Sequence, residues 1–164
     1  MKLIESNRKY ILAGITAFIV VGLFVANVLA NKQDEQFAYE DKLYAHASQL
    51  YTDGNYIDAM VTINELLELQ PNSQEVNYLG GLTAANAGEY KQSAILLQKT
   101  MDINPYKVED AIFMLQFGEI LFLSERYEDA KVVLLECQKQ GWEPEEYPNY
   151  QQRVTELLAQ IEIK

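Results

Sequence analysis

The chain has 164 residues, 49% of them hydrophobic and 23% charged, which suits one domain of ordinary size and not two full ones. From Asn31 onward there are 10 basic and 23 acidic side chains, too few cations to displace counterions from a phosphate backbone, so nucleic acid is excluded as an expected partner. A single cysteine, Cys137, excludes an intrachain disulfide and any multi-cysteine metal site.

The first expected element is a membrane segment. Residues 1–9 hold Lys2, Arg8 and Lys9 against one acid, Glu5, and no charged residue lies between Tyr10 and Asn31. Residues 11–30 are almost continuously apolar, and at ~1.5 Å per residue a helix of that length crosses a hydrocarbon core of ~30 Å. Thr16 and Asn27 are its clearly polar side chains; Thr16 can bond back to its own helix, and Asn27 lies near the far interface. No face is polar, as a core helix of a soluble protein would require. Two readings stay open: a transmembrane signal anchor over 10–31, or a signal peptide cleaved after Ala30. The run exceeds the ~7–15 apolar residues of most signal peptides, which favours the anchor. The basic flank stays in the cytoplasm and sends the rest outside it.

Residues 32–39 read as a short linker or helix start, and beyond them the sequence repeats itself. Gly54, Tyr56 and Ala59 recur as Gly88, Tyr90 and Ser93 after a shift of 34 residues, and Pro71 recurs as Pro105. Tyr127 and Ala130 form a third copy 37 residues later, which puts three extra residues in the connection around 106–109. Each copy has the apolar spacing of two helices: 36–52 with 56–69, 74–87 with 90–103, and 108–124 with 127–140. Glycine turns join the pairs and proline closes the first two. An amphipathic helix over 149–163 follows, with Val154, Leu157, Leu158 and Ile161 on one face. No stretch alternates with period two, so the expected fold is all-α.

A 34-residue helix–turn–helix with Gly-x-Tyr-x-x-Ala at the turn and proline at its end resembles the tetratricopeptide repeat (TPR) family. The resemblance implies a bacterial-type, membrane-anchored protein: a transmembrane helix, then an α-solenoid of about three TPR hairpins over 40–73, 74–107 and a degenerate 108–144, with a capping helix in 145–164. In the third copy Glu125 replaces the turn glycine and Trp142 the proline. Small residues are expected where paired helices approach: Ala47, Gly81 and Gly118 in the first helices, and Ala59, Ser93 and Ala130 in the second.

Chemistry-bearing residues are sparse. His46 is the one histidine and reads as a buried or half-buried structural residue; Cys137 falls on the inner stripe of its helix and reads as a small packed thiol. Neither supplies a catalytic pair or a metal site, and Gly80-Gly81 lacks the lysine of a phosphate loop. The expectation is no enzyme, no catalytic residue, no cofactor and no metal.

Binding is expected in a groove instead. By the family's register the first helices present Asp41, Tyr44, Ser48 and Tyr51, then Glu75, Tyr78, Leu82 and Asn86, then Ile112, Leu115, Glu119 and Phe122. The carboxylate clamp by which some family members hold chaperone tails is missing, since Tyr44, Ser48, Leu79, Ile112 and Gln116 stand at its positions. The expected function is therefore a non-catalytic, membrane-tethered scaffold or assembly factor with a protein or peptide partner, basic or amphipathic to suit an acidic rim. The alternatives are a chaperone-like holder of exported chains and an accessory subunit acting through its membrane helix.

Overall fold

The computed structural model describes residues 2–164, and the side chains of all of these except 2–8 and 11. It divides into two units, one ending at Lys42 and one running from Leu43 to Lys164. Among the described residues every regular element is helical: α1 (Lys2–Thr52), α2 (Tyr56–Leu69), α3 (Gln74–Asn86), α4 (Tyr90–Ile103), a 3-10 turn (Pro105–Glu109), α5 (Ala111–Leu123), α6 (Tyr127–Gln140) and α7 (Tyr150–Ile161).

The first unit is the greater part of α1. One stretch of this helix is long and apolar enough to cross a membrane, with mean hydropathy 2.4 and none of that window buried. Thr16 Oγ1 donates to Leu12 O at 2.9 Å, so its hydroxyl is satisfied within the helix. Lys2 and Arg8, half of the argument for orientation, lie outside the described side chains. The stretch 32–39, expected as a short linker or helix start, is helical. No glycine or proline lies between Asn31 and Thr52, and the polar residues there are compatible with helix, so nothing interrupts the backbone ladder.

The second unit stacks hairpins. The last turns of α1 pair with α2, α3 with α4, and α5 with α6, while α7 packs on both α5 and α6. Two apolar clusters run through the stack, one around Ala47, Ile63, Leu66 and Val76 and one around Leu97, Phe113, Leu134, Tyr150 and Leu157. A lone hairpin could not bury these faces; successive copies cover one another.

The small residues stand at the tightest approaches. A Cβ on Gly81 would lie 2.6 Å from Leu97 Cδ2, and one on Gly118 would lie 2.8 Å from Leu134 Cδ2. Ser93, where the repeat favours alanine, is fully buried and donates to Gly81 O at 2.7 Å, which offsets the desolvation of its hydroxyl.

All three hairpin turns close alike. The N–H groups of Asn55, Glu89 and Arg126 return to Leu50, Ala84 and Leu121 O at 2.8–2.9 Å, which requires a left-handed residue just before each. Gly54 and Gly88 supply it in the first two turns; Glu125 holds φ +67° in the third. Glu125→Gly is therefore expected to raise stability by up to ~1 kcal/mol, read as a higher midpoint in chemical denaturation.

Two expectations need correction. The first helix of the third hairpin begins at Ala111, not at residue 108. The inserted residues form the 3-10 turn, started by Asn104 Oδ1 accepting from Tyr106 N, and Asp110 then caps α5 by accepting from Phe113 N at 3.0 Å. His46 is exposed rather than buried. Its counterparts Gly80 and Phe117 are covered, Gly80 by Ile63 of the hairpin before, and among the described residues no hairpin stacks ahead of His46. The close of α6 needs no proline and holds no surprise: Gly141 takes the left-handed conformation, and Gln151 Nε2 ties Cys137 O and Trp142 O to α7.

Candidate protein-binding face

The first helices of the hairpins are linked side by side. Asn86 Nδ2 on α3 lies 3.5 Å from Tyr51 Oη on α1, Tyr78 Oη on α3 donates to Gln116 Oε1 on α5 at 2.8 Å, and Arg153 of α7 pairs with Glu119 of α5. Arg153 follows Glu119 by 34 residues, so α7 occupies the place of a fourth first helix. These links give one face of the second unit a continuous, preorganised floor.

Aromatic rings cover much of that floor. Tyr51 packs edge-on against Tyr56 at 5.7 Å, while Phe122 is tilted against Tyr127 at 5.6 Å and Tyr78 against Phe113 at 5.8 Å. The inserted turn adds a cation: Lys107 Nζ sits 5.2 Å from the centre of the Tyr78 ring and 5.5 Å from that of Phe113, and pairs with Asp110 at 2.7 Å. Burial raises the Tyr78 hydroxyl pKa, and the nearby Asp110 charge adds to it.

Burial opposes ionisation of Asp110, but the Lys107 hydrogen bond and the N–H groups of Phe113 and Ile112 outweigh it and hold the carboxyl below its usual range. A depressed folded-state pKa contributes stability that is present above the unfolded value of ~4 and lost as pH falls through the lower folded value. Asp110→Asn should therefore flatten the acid limb of a stability–pH profile below about pH 4, measured by denaturation at a series of pH values.

The expected groove residues fall into three groups. Tyr44, 36% exposed, and Asn86 face solvent, while Ser48 and Leu82 are half-buried and open to it. Tyr51, Tyr78, Glu119 and Phe122 are half-buried and engaged by the neighbours named above. Leu115 is 5% exposed and belongs to the core cluster, so it leaves the groove. The cause is α5 itself, which is apolar nearly all round and packed by the 3-10 turn and α7 as well as by α4 and α6. Sequence reading missed Lys107, Gln116 and Arg153. Only Arg153 had a signal, its 34-residue spacing from Glu119.

Other chemistry is thin. Cys137 is fully buried, and burial pushes its thiol pKa up. That is the setting of a packed thiol rather than a nucleophile. Among the described residues no three His, Cys, Asp or Glu side chains stand where they could share a metal ion. Open hollows of about 590 and 500 Å³ lie at the turn ends between hairpins, beside Tyr90 and Leu123 and beside Tyr56 and Asn86, as furrows of the stacking.

Solved structures share this architecture. The secretion chaperone SycD of Yersinia enterocolitica, in complex with a peptide of the translocator YopD, superposes with a TM-score of 0.60 at 20% identity, over 75% of this chain and 92% of SycD. The Sgt2 TPR domain of Aspergillus fumigatus gives 0.56 at 14% identity, over 76% and 77%. The TPR2B domain of yeast Sti1, in complex with pHsp70, gives 0.58 at 10% identity, over 76% and 96%. The fold is TPR-like. No protein-family model and no curated protein matches the sequence, so the likeness is one of structure. An O-GlcNAc transferase of Thermobaculum terrenum is also similar, but this chain spans 19% of its length.

Proposed function

We propose that this is a membrane-tethered, non-catalytic TPR protein that holds a polypeptide segment of a partner against the face built by α1, α3, α5 and α7. The observation that carries the reading is the linked floor of first helices, with Tyr44, Ser48, Leu82 and Asn86 open above Tyr51, Tyr78 and Phe122. Half-buried rings held by hydrogen bonds and ring contacts are preorganised, so a bound segment orders little of the protein. Aromatic anchors suit an amphipathic segment; Glu75 and the acidic balance of the chain favour a basic one. The apolar part of α1 supports an anchor in the cell membrane, and the flanking charges favour a cytoplasmic N-terminus with the repeats outside. The tether raises the effective concentration toward other membrane proteins.

A chaperone-like holder of exported chains is the second reading, supported by the likeness to SycD, which was solved with a translocator peptide. One or two stoichiometric partners mark the scaffold, and many weak clients mark the holder. Leu82→Arg is the test, since its side chain is half-buried on the open face and outside the two core clusters. The full chain purified from native membranes should lose its partners roughly tenfold or more on that substitution while keeping its melting temperature. Unchanged partners would move the function to the membrane helix.

A further inference from the structure

The outward side of the repeats carries a pattern that the groove does not use. Val61, Ile95 and Val132 stand at one repeat position on α2, α4 and α6, and are 68%, 65% and 69% exposed. A β-branched apolar residue at the same exposed position in three successive helices amounts to a row, beyond the scatter expected of single surface residues. Its flanks reverse charge from one repeat to the next. Lys91 and Lys99 bracket Ile95 one turn before and after it on α4; Glu128 and Glu136, at the same repeat positions, bracket Val132 on α6. One helix thus presents Lys-Ile-Lys and the next presents Glu-Val-Glu.

We infer that this face pairs with a second copy of the chain, α4 of each copy lying over α6 of the other. The two helices run in the same direction in successive hairpins. A two-fold axis parallel to them, midway between, places Lys91 over Glu128, Ile95 over Val132 and Lys99 over Glu136, and makes each contact twice. The perpendicular axis would set α4 on α4 and α6 on α6, opposing like charges, so the charge pattern selects the first arrangement. Lys91 and Glu128 are exposed, and among the described residues neither is engaged by a hydrogen bond or ion pair. Both oxygens of Glu136 already accept, from Lys139 at 3.0 and 3.2 Å and from Gln140 at 2.6 Å, so the charge of Lys99 adds to bonds it holds. The contact is small beside the ~1,200–2,000 Å² of a stable interface, so the dimer is weak and depends on high local concentration. This inference is independent of what the groove holds.

Cysteine cross-linking in proteoliposomes of the full chain tests it. Cys137 is buried, and the unsubstituted chain serves as the blank. Ile95→Cys mixed with Val132→Cys should give a disulfide-linked dimer, with much less from Ile95→Cys alone. Lys91→Glu should cut the mixed yield roughly tenfold, and Lys91→Glu with Glu128→Lys should restore it. All four sites are on the surface, so folding is unaffected and is checked by circular dichroism. Equal yields from Ile95→Cys alone, no mixed adduct, or failure of the double charge reversal to rescue would each overturn the pairing.

Discussion

Leucine in place of Gly81 should destabilise the repeats strongly. A Cβ alone would lie 2.6 Å from Leu97 Cδ2, 2.8 Å from Leu97 Cγ and 3.4 Å from the Leu97 backbone nitrogen. Leu97 is fully buried in the larger cluster and has nowhere to move. The strain also falls on Gly81 O, which accepts the buried Ser93 hydroxyl. Overpacking of this kind costs ~1–3 kcal/mol, with alanine toward the lower end and leucine at or above the upper. Against a domain stability of ~5–15 kcal/mol, that is a large fall in the urea midpoint of the full chain. Gly54→Ala offers a useful contrast: a Cβ there meets nothing within 4 Å, and only its φ of +78° is strained.

Phe113→Ala should cost ~3–5 kcal/mol, because the ring is fully buried in the larger core cluster and its removal leaves a cavity there. It also links stability to recognition. Phe113 stacks on Phe117 at 6.1 Å, tilts against Tyr78, and is one of the two rings under Lys107. Without it Tyr78 loses its support, and the centre of the proposed binding face becomes mobile. Phe113→Leu, which keeps most of the volume, should recover much of the stability but not the ring contact with Tyr78. Comparing the two by denaturation and partner binding separates core packing from preorganisation.

The repeat made most of this architecture legible beforehand. A shift of 34 residues that carries a glycine, a tyrosine and a proline together fixes helix boundaries, and α2, α4 and α6 run over the residues that periodicity implies. Departures from the repeat were harder to read. The 3-10 turn rests on side-chain caps at Asn104 and Asp110 that compete with helix continuation, and apolar spacing does not register such competition. The unbroken course of α1 depends on the absence of a helix breaker, whereas a change from apolar to charged composition suggests a boundary.

The binding face was legible in outline only. Register says which positions of the first helices share a side, but not which of them a neighbour covers. Leu115 is covered because α5 is packed by more elements than its counterparts, and Lys107 reaches Tyr78 through an insertion with no parallel in the other repeats. Contacts such as Tyr78–Gln116, 38 residues apart, follow from stacking and leave no local trace.

The central claim is that a partner lies on the first-helix face. A photo-reactive residue at Asn86, exposed on that face, tests it most directly in the full chain in native membranes, with Asp102 on the outward side of α4 as the comparison. One or two discrete adducts to other proteins from position 86, absent from position 102, where only the chain's own dimer is expected, and lost with Leu82→Arg, are the predicted result. Adducts to the same other proteins in equal yield from both positions, or none from position 86 in folded and abundant protein, would contradict it.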